Sequence, residues 1–232
     1  MSVLIVTGTG TEIGKTVTTA AVAAAALARG RSVAVLKPAQ TGVTADEPGD
    51  VAEVRRLAGP VTGVELARFP EPLAPATAAR RAGLMPVRPD EIGRTARKLA
   101  AEHDLVLVEG AGGLLVPFDE SGATLADAAR LLDAPPAGLG TLNATALTAE
   151  ALRSRGLRCR GVVIGSWPGD PDLAARCNLA DFPRAAGAPL LGALPERAAA
   201  LSPAGFRAAA AGWLAPELGG TWDAGRFGAA QG

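Results

Sequence analysis

Short apolar runs alternate along the chain with longer stretches in which apolar residues recur at helical spacing. Continuous apolar runs of about five residues are typical of strands buried on both faces, and their alternation with helices indicates a parallel sheet. The pattern predicts strands near 2–7, 32–37, 104–109, 159–165 and 189–193. It predicts helices near 15–29, 50–58, 74–82, 89–102, 123–132, 142–155, 171–185 and 203–214. The expected fold class is α/β, with a mostly parallel central sheet and helices on both faces.

The amount of apolar sequence is sufficient for one domain with a full hydrophobic core. The chain has 232 residues, of which 48% are hydrophobic. We expect a single domain over residues 1–216. After Trp213 the sequence becomes rich in glycine and loses its periodicity, so residues 217–232 are predicted to form a loose C-terminal tail.

Charge and aromatic content argue against some classes of function. The chain has 23 basic and 23 acidic residues, five Phe, three Trp and no Tyr. Neither a basic surface nor a set of stacking aromatics therefore indicates a nucleic-acid partner. No apolar stretch of about 18 residues predicts a membrane span, and no basic segment precedes the first apolar run, so we expect a cytoplasmic protein without a membrane partner.

Cysteine and histidine contribute little to the candidate chemistry. Cys159 and Cys177 do not have the spacing of a metal or redox motif, and we predict that both are reduced. His103, the single histidine, lies at the polar end of a predicted helix. That position favours a solvated helix C-terminus over a catalytic base.

A phosphate-binding loop is the strongest local motif. The first predicted strand is followed by Thr7-Gly8-Thr9-Gly10-Thr11-Glu12-Ile13-Gly14-Lys15-Thr16 and then by an Ala-rich helix. Glycines allow backbone N–H groups to turn toward phosphate oxygens, while Lys15 would bridge the β- and γ-phosphates and Thr16 would hold Mg²⁺. Five residues separate Gly8 from Gly14, where the usual motif has four. The alternative, a Gly-rich turn with a solvated Lys15, leaves Gly14-Lys15-Thr16 at the helix start unexplained.

Two further strand ends carry suitable polar groups. The second strand leads into Lys37-Pro38-Ala39-Gln40-Thr41-Gly42, and the third ends in Glu109-Gly110-Ala111-Gly112-Gly113. Ligands of parallel α/β sheets collect at the carboxyl ends of the strands, so we expect Lys37 and Glu109 beside the phosphate loop. A snorkelling lysine and a strand-end salt bridge are the structural alternatives.

Asp50 has two interpretations that the local sequence does not separate. Asp50-Val51-Ala52-Glu53 is a good capping box for the helix that follows. A carboxylate at this position would equally serve as a magnesium ligand. The two roles can coexist, because a capping carboxylate keeps a free oxygen.

Taken together, these motifs resemble the dethiobiotin synthetase family over most of the chain. The matching segments also include Pro72-Leu73-Ala74-Pro75, Val108 through Gly113, and Gly138-Leu139-Gly140-Thr141-Leu142-Asn143. The five-residue spacing between Gly8 and Gly14 is the family's own form of the phosphate loop. The resemblance implies that residues 1–216 form a P-loop ligase domain.

The reaction implied by the resemblance is the closure of a cyclic urea in biotin synthesis. The enzyme would use ATP and Mg²⁺ to join 7,8-diaminononanoate and CO₂, supplied as bicarbonate, through a carbamate and its phosphorylated form. No covalent enzyme intermediate is needed, so the protein would act by positioning and charge stabilisation. The resemblance also implies a homodimer.

The resemblance assigns a role to each candidate site residue. Lys37, Lys15 and Thr11 would act in catalysis, and Thr41 would contact the substrate with Thr11. Thr16, Asp50 and Glu109 would organise Mg²⁺. The remaining nucleotide contacts would come from Glu12, Ile13, Gly14, Val17, Gly110, Ala111 and Gly112, with Gly165, Ser166, Pro195, Glu196 and Arg197 around the base and ribose. Gly140, Thr141 and Asn143 would receive the substrate carboxylate across the dimer.

The chain departs from the family pattern at one place. Family members have an apolar strand where this chain has only Ala134-Pro135-Pro136-Ala137, and Ala144 replaces a histidine. Because proline is excluded from central strands, we expect this strand to be missing. About five lost apolar side chains would forfeit on the order of 8 to 15 kcal/mol, comparable to the whole stability of a domain. Substrate capture and dimer geometry would be affected first.

Two other functions compete with the ligase. The first is a nucleotide-binding regulatory or interaction domain of the same fold with impaired substrate chemistry. The second is a partition-type ATPase, but such proteins carry an extra lysine early in the loop, where this chain has Gly8, Thr9 and Gly10. The base preference stays open, because Gly165-Ser166-Trp167 stands where many relatives have an asparagine.

Overall fold

A parallel sheet forms the centre of the structure, a computed structural model that describes residues 2–132, 136–138 and 142–231. Within these residues the sheet has seven strands in the order β3-β2-β4-β1-β5-β6-β7. The strands are β1 (Ser2–Val6), β2 (Val33–Thr41), β3 (Thr62–Phe69), β4 (Leu105–Glu109), β5 (Pro136–Gly138), β6 (Gly161–Trp167) and β7 (Leu190–Pro195). Every neighbouring pair is parallel.

Helices cover both faces of the sheet. They are α1 (Lys15–Leu27), α2 (Asp50–Ala58), α3 (Pro75–Ala82), α4 (Pro89–Glu102), α5 (Leu125–Leu132), α6 (Leu142–Arg153), α7 (Leu173–Ala186), α8 (Pro203–Ala210) and α9 (Ala224–Ala229). Short 3₁₀ segments lie at Ala198–Ala200, Ala211–Trp213 and Pro216–Leu218. No helix of the described residues is long and apolar enough to cross a membrane.

The strand side chains divide between two hydrophobic cores. In β2, Val33 and Val35 face a core shared with α1, α2 and α8, whereas Ala34 and Leu36 face a core shared with α3, α4 and α5. Successive side chains of a strand point to opposite faces, so a strand that is apolar at every position needs a helical layer on each side. The predicted α/β fold class is confirmed.

The sequence pattern missed β3, which lies at one edge of the sheet. This strand reads Thr-Gly-Val-Glu-Leu-Ala-Arg-Phe, and most of its residues are only partly buried. An edge strand is covered less completely than a central one and tolerates polar residues, so it gives no continuous apolar run. Its partner β2 extends to Thr41, beyond the predicted end at 37, because residues 37–41 pair with β3 alone.

The prediction of a missing strand before residue 138 is wrong. β5 lies between β1 and β6, where Pro136 is the register partner of Ile5 and Ala137 that of Val6 and of Gly161. The strand is only three residues long, and Pro136 is its first residue, the position in a strand where a missing N–H is tolerated. The sheet is therefore continuous from β1 through β5 to β6.

The C-terminal stretch predicted to be loose instead packs against the domain. Leu218 and Trp222 are buried, and α9 follows them with an N-cap, in which the Asp223 carboxylate accepts the Arg226 N–H at 2.8 Å. The aromatic ring of Phe227 contacts Trp222 with 5.4 Å between the ring centroids. Few aromatic residues are sufficient to hold a Gly-rich segment, because each buries a large apolar area.

The structure of β5 predicts opposite effects for two neighbouring substitutions. Ala137→Pro removes a backbone donor from the middle of a strand paired on both sides, and we expect it to lower the free energy of unfolding by about 1 to 3 kcal/mol. Pro136→Ala restores a donor at the strand start and is expected to change the stability by less than about 1 kcal/mol.

Chemical denaturation of both variants at equal protein concentration measures the difference. Equal unfolding free energies for Ala137→Pro and the unsubstituted chain would contradict the placement of β5 in the sheet.

Candidate active site

The phosphate loop joins β1 to α1 and leaves the helix N-terminus without a capping side chain. Gly14, the N-cap of α1, has φ 89°, a left-handed conformation that glycine adopts readily. A Cβ atom at Gly14 would lie 2.6 Å from the Gly165 carbonyl oxygen, so the close packing of loop against β6 also requires glycine. The first N–H groups of α1 are thus available to an anionic ligand, which the helix dipole favours.

Lys15 is a buried cation at this helix start. Its ammonium group donates to the Gly10 carbonyl at 2.5 Å. Burial removes its hydration and the charge of Lys37 repels it, and together these lower the pKa of Lys15, although Glu109 and Asp50 oppose the shift. No carboxylate of the described residues forms an ion pair with Lys15. The side chain is therefore suited to bind an incoming phosphate.

Glu109, at the end of β4, is the deepest charged group of the site. It is only 1% exposed. The Thr16 hydroxyl donates to its Oε1 at 2.9 Å, and the Thr19 hydroxyl lies 2.7 Å from its Oε2. Thr16 and Thr19 are three residues apart on α1 and so share one face of the helix. Sequence reasoning missed Thr19, although this spacing after the motif threonine could have indicated it.

Lys37 lies between two carboxylates. Its Nζ is 2.5 Å from Asp50 Oδ2 and 3.0 Å from Glu109 Oε1, and it also donates to the Gly110 carbonyl at 3.0 Å. Burial alone lowers the pKa of Lys37, but the adjacent charges of Glu109 and Asp50 outweigh burial and raise the pKa above its usual value. Lys37 therefore stays protonated at neutral pH and is not a snorkelling surface lysine.

The structure tests the helix-cap interpretation of Asp50. Asp50 is the first residue of α2, the N-cap is Gly49, and no side chain caps the helix. The Asp50 N–H instead donates to the Gln40 side-chain oxygen at 2.8 Å. The capping hypothesis is wrong, because the Asp50 carboxylate pairs with Lys37 and forms no capping hydrogen bond with the first turn of α2. Gln40 was not predicted as a site residue. Its position in the same motif as Lys37 is the sequence feature that could have indicated it.

A cavity of 560 Å³ connects these groups. Most of the predicted residues line it, namely Thr11, Glu12, Gly14, Lys15, Thr16, Val17, Lys37, Thr41, Asp50, Glu109, Ala111 and Gly112. Its wall also contains Gln40, Pro72, Leu73, Ala74, Pro75 and Val116, which were not predicted as site residues. Its lining combines charged and hydroxyl groups with apolar side chains such as Leu73 and Val116, so the cavity suits a ligand with an anionic part and an aliphatic part.

Other predicted residues lie away from this cavity. Ile13, Gly165 and Ser166 line a second cavity of 420 Å³ on the other side of the phosphate loop. Pro195 ends β7, with Glu196 and Arg197 directly after it. Asn143 is exposed in the first turn of α6, whereas Gly140 and Thr141 lie outside the described residues. His103 is the C-cap of α4, and its ring nitrogens form hydrogen bonds with the Leu99 carbonyl and the Thr62 hydroxyl, away from the site.

The donor set fits a magnesium ion shared with a phosphate ligand. In the described part of the chain, no group of three or more His, Cys, Asp or Glu side chains could hold a metal ion by itself. Thr16 and Glu109 nevertheless lie in contact, and Asp50 is joined to Glu109 through Lys37. Mg²⁺ is commonly bound by one or two carboxylates together with substrate phosphates and water, so a larger protein cluster is not required.

The fold and the site define a P-loop nucleotide-binding protein of the α/β class. A solved MinC:MinD cell division complex from Aquifex aeolicus has the same fold, with a TM-score of 0.54 over 85% of this chain and 82% of that chain at 15% identity. The family model described as an AAA domain matches residues 2–204.

Curated relatives identify the family more closely. The ATP-dependent dethiobiotin synthetase BioD of Streptomyces avermitilis is 72% identical, covering 99% of both chains. The protein of the same name from Streptomyces coelicolor is 71% identical, covering 98% of both. The chain belongs to the dethiobiotin synthetase family, and this prediction from the sequence motifs is confirmed.

The environment of Lys15 predicts that its role in binding can be separated from stability. Because the folded state lowers the pKa of Lys15, its charge destabilises the fold at neutral pH, and this penalty is lost only as pH rises toward the unfolded value of 10.5. Lys15→Met should abolish detectable binding of Mg²⁺-ATP while leaving the melting temperature unchanged or up to about 4 °C higher.

Calorimetry and thermal unfolding check both parts. Lys98→Met on the exposed face of α4 is the matched control, and we expect it to bind nucleotide normally. Unchanged affinity in Lys15→Met would contradict the assignment of the phosphate loop.

Proposed function

We propose that this chain uses ATP and Mg²⁺ to close the cyclic urea of dethiobiotin from 7,8-diaminononanoate and CO₂. The chain is a ligase by family. The observation that carries the proposal is the position of Lys37, held by two carboxylates in the cavity that Lys15 of the phosphate loop also lines. A carbamate formed there would lie between the γ-phosphate at Lys15 and the rest of the diamine.

The proposed reaction has three steps. One substrate amine attacks CO₂ and loses a proton, which gives a carbamate. A carbamate oxygen then attacks the γ-phosphorus of ATP, and the bond between that phosphorus and ADP breaks. The second amine attacks the carbamoyl carbon, loses its proton, and expels phosphate as the ring closes. The protein contributes position and charge, which is consistent with a site of ammonium, hydroxyl and carboxylate groups.

Lys37 and Lys15 would stabilise charge in different parts of this sequence. The raised pKa of Lys37, caused by Glu109 and Asp50 against the effect of burial, keeps it an ammonium ion, so it acts as an electrostatic partner of the carbamate and not as a base. Lys15 would hold the β- and γ-phosphates, whose negative charge restores the preference of its side chain for the protonated form. Thr11 and Thr41 would contact the diamine from the cavity wall.

The charge balance supports a requirement for Mg²⁺. Lys37 and Lys15 are the cationic side chains among the described residues that line the cavity, and Asp50 and Glu109 already compensate Lys37. Lys15 alone does not neutralise a triphosphate. Thr16, Asp50 and Glu109 would hold the divalent ion, which supplies further positive charge to the transferring phosphoryl group.

The far end of the substrate would be received by a second copy of the chain. The family resemblance places the carboxylate at Gly140, Thr141 and Asn143 of a homodimer. Asn143 is exposed in the first turn of α6, and Leu147 on the same helix is 63% exposed, as expected for a surface that a partner covers. Glu12, Ile13, Gly14, Val17 and the turn at Gly110, Ala111 and Gly112 would complete the phosphate site, with Gly165, Ser166, Pro195, Glu196 and Arg197 beside the base and ribose.

A nucleotide-binding domain without substrate chemistry is the weaker alternative. Its main support was the expected loss of the strand before Gly138, and β5 occupies that position. Ala144 still replaces the histidine of the family pattern and lies partly buried in α6. The contacts of Lys37, Asp50 and Glu109 favour the ligase, because a purely regulatory domain has no need of a cation held beside the phosphate loop.

Asp50 tests the proposed metal role. Asp50→Asn keeps the size of the side chain but removes a charge that Mg²⁺ prefers, and Glu109 still compensates Lys37. We expect kcat to fall by roughly tenfold or more, which corresponds to about 1.4 kcal/mol of transition-state stabilisation. The melting temperature should change little, because Glu109 still pairs with Lys37 and the Asp50 side chain is 33% exposed.

Glu53→Gln on the same helix, where Glu53 pairs with Arg56 at the surface, is the matched control and should keep normal kcat. Steady-state kinetics at several Mg²⁺ concentrations measures both variants. Normal turnover in Asp50→Asn at limiting Mg²⁺ would refute the metal assignment.

The proposed reaction itself predicts a defined product. Incubation of the protein with the diamine, bicarbonate, Mg²⁺ and ATP should yield the cyclic urea and ADP in equal amounts, measured by mass spectrometry. With ¹³C-bicarbonate, the mass of the cyclic urea should rise by the difference between one labelled and one unlabelled carbon atom. Lys37→Met, which removes the ammonium beside the carbamate, should bind ATP yet form little product. ADP release without the urea in the unsubstituted protein would support the regulatory or ATPase alternatives.

A further inference from the structure

The C-terminal helix α9 packs on the residue that ends β6. The ring of Phe227 makes an edge-to-face contact with Trp167 at 5.4 Å between centroids, and the Trp167 indole N–H donates to Gln231 Oε1 at 3.2 Å. Trp222 contacts the same Phe227 ring from the preceding segment. Trp167 is 8% exposed. A tryptophan with an apolar body and one satisfied donor is firmly held in such surroundings.

Trp167 in turn ends a bulged part of β6. Ile164 is the register partner of Ala193 and Trp167 that of Pro195, so three residue steps on β6 match two on β7. The extra residue lies at Gly165-Ser166, within the wall that the proposed function places beside the nucleotide. Bulges change the direction of a strand and leave a residue unpaired, so this segment depends on its flanks for its position.

Both flanks of the bulge are connected to the site. On one side Gly165 packs closely against the phosphate loop: a Cβ atom on Gly14 would lie 2.6 Å from the Gly165 carbonyl oxygen. On the other side the Trp167 carbonyl accepts the Glu196 N–H at 2.7 Å, and Glu196 Oε1 accepts the Gly169 N–H at 3.0 Å. Trp167 therefore fixes Gly165-Ser166 and Glu196 together.

We propose that α9 positions the base and ribose side of the nucleotide site by holding Trp167 through Phe227 and Gln231. This inference rests on the proposed placement of the base and ribose at Gly165, Ser166 and residues 195–197. Phe227 and Gln231 are positioning residues, since they contact Trp167 and do not themselves line the cavity of Gly165 and Ser166. The phosphates bind elsewhere, on the loop before α1, so the effect should depend on the nucleoside part of the ligand.

Binding of ATP and of inorganic triphosphate, each with Mg²⁺, separates this role from a general structural one. In Phe227→Ala the affinity for ATP should fall by roughly two- to tenfold, the range of one aromatic edge contact. The affinity for triphosphate should stay unchanged. In turnover, KM for ATP should rise by the same factor while kcat and KM for the diamine stay constant.

Three further variants complete the test. Phe227→Tyr keeps the ring and should restore ATP affinity. Gln231→Leu removes only the acceptor of the Trp167 indole and should give a smaller loss, so the proposal stays testable if Phe227→Ala folds poorly. Trp213→Ala is the matched control. The half-buried Trp213 ring makes a similar edge contact with Phe206 at 5.2 Å, and neither residue lines the cavity of Gly165 and Ser166.

The outcomes distinguish this inference from the proposed function. Equal losses for ATP and triphosphate, or equal losses in Trp213→Ala, would overturn it in favour of general destabilisation. Wild-type ATP affinity in both Phe227→Ala and Gln231→Leu would also overturn it, while leaving the ligase assignment intact. If the unsubstituted protein binds ATP no better than triphosphate, the base site itself is wrong, and this inference falls with it.

Discussion

The buried contact between Lys37 and the carboxylates of Asp50 and Glu109 is the constraint on which the site depends. Lys37 and Glu109 are almost fully buried, whereas the Asp50 side chain is 33% exposed. A buried charge costs several kcal/mol unless a partner and further hydrogen bonds compensate it. Thr16 and Thr19 supply those bonds to Glu109, and the Gly110 carbonyl supplies one to Lys37. The two carboxylates keep Lys37 charged, because their charges raise its pKa against the effect of burial.

This cluster also explains why distant segments of the chain form one site. Glu109 ends β4, which lies between β2, the strand of Lys37, and β1, the strand that leads into the phosphate loop. Since the strands are parallel, their carboxyl ends meet at one edge of the sheet, where ligands of this fold bind. The charge of Lys37 is balanced by Asp50 and Glu109, whereas Lys15 has no carboxylate ion-pair partner among the described residues, so the site suits an anionic ligand.

Local patterns were reliable where a residue's role depends on its immediate neighbours. The phosphate loop, the fully buried strands and the family followed from motifs such as Gly14-Lys15-Thr16, because turn, helix start and phosphate contact are encoded within a few residues. The half-exposed edge strand β3 lacks an apolar run, and β5 has only three residues. Both form because neighbouring strands offer unpaired backbone groups, which no local pattern records. Trp222 and Phe227 likewise hold the tail through contacts distant in sequence.

The sequence by itself determined the fold class, the family and most of the residues around the cavity, because apolar periodicity and short motifs reflect local physical requirements. Only the tertiary structure showed that Asp50 pairs with Lys37 and does not cap α2. Its sequence neighbours allowed a helix cap, but its carboxylate pairs with Lys37 and its N–H donates to Gln40, both on β2. The structure also placed Thr19 in contact with Glu109, and Trp167 between Gly165-Ser166 and α9. Charge compensation and aromatic packing act through space, so sequence order alone does not specify which groups meet.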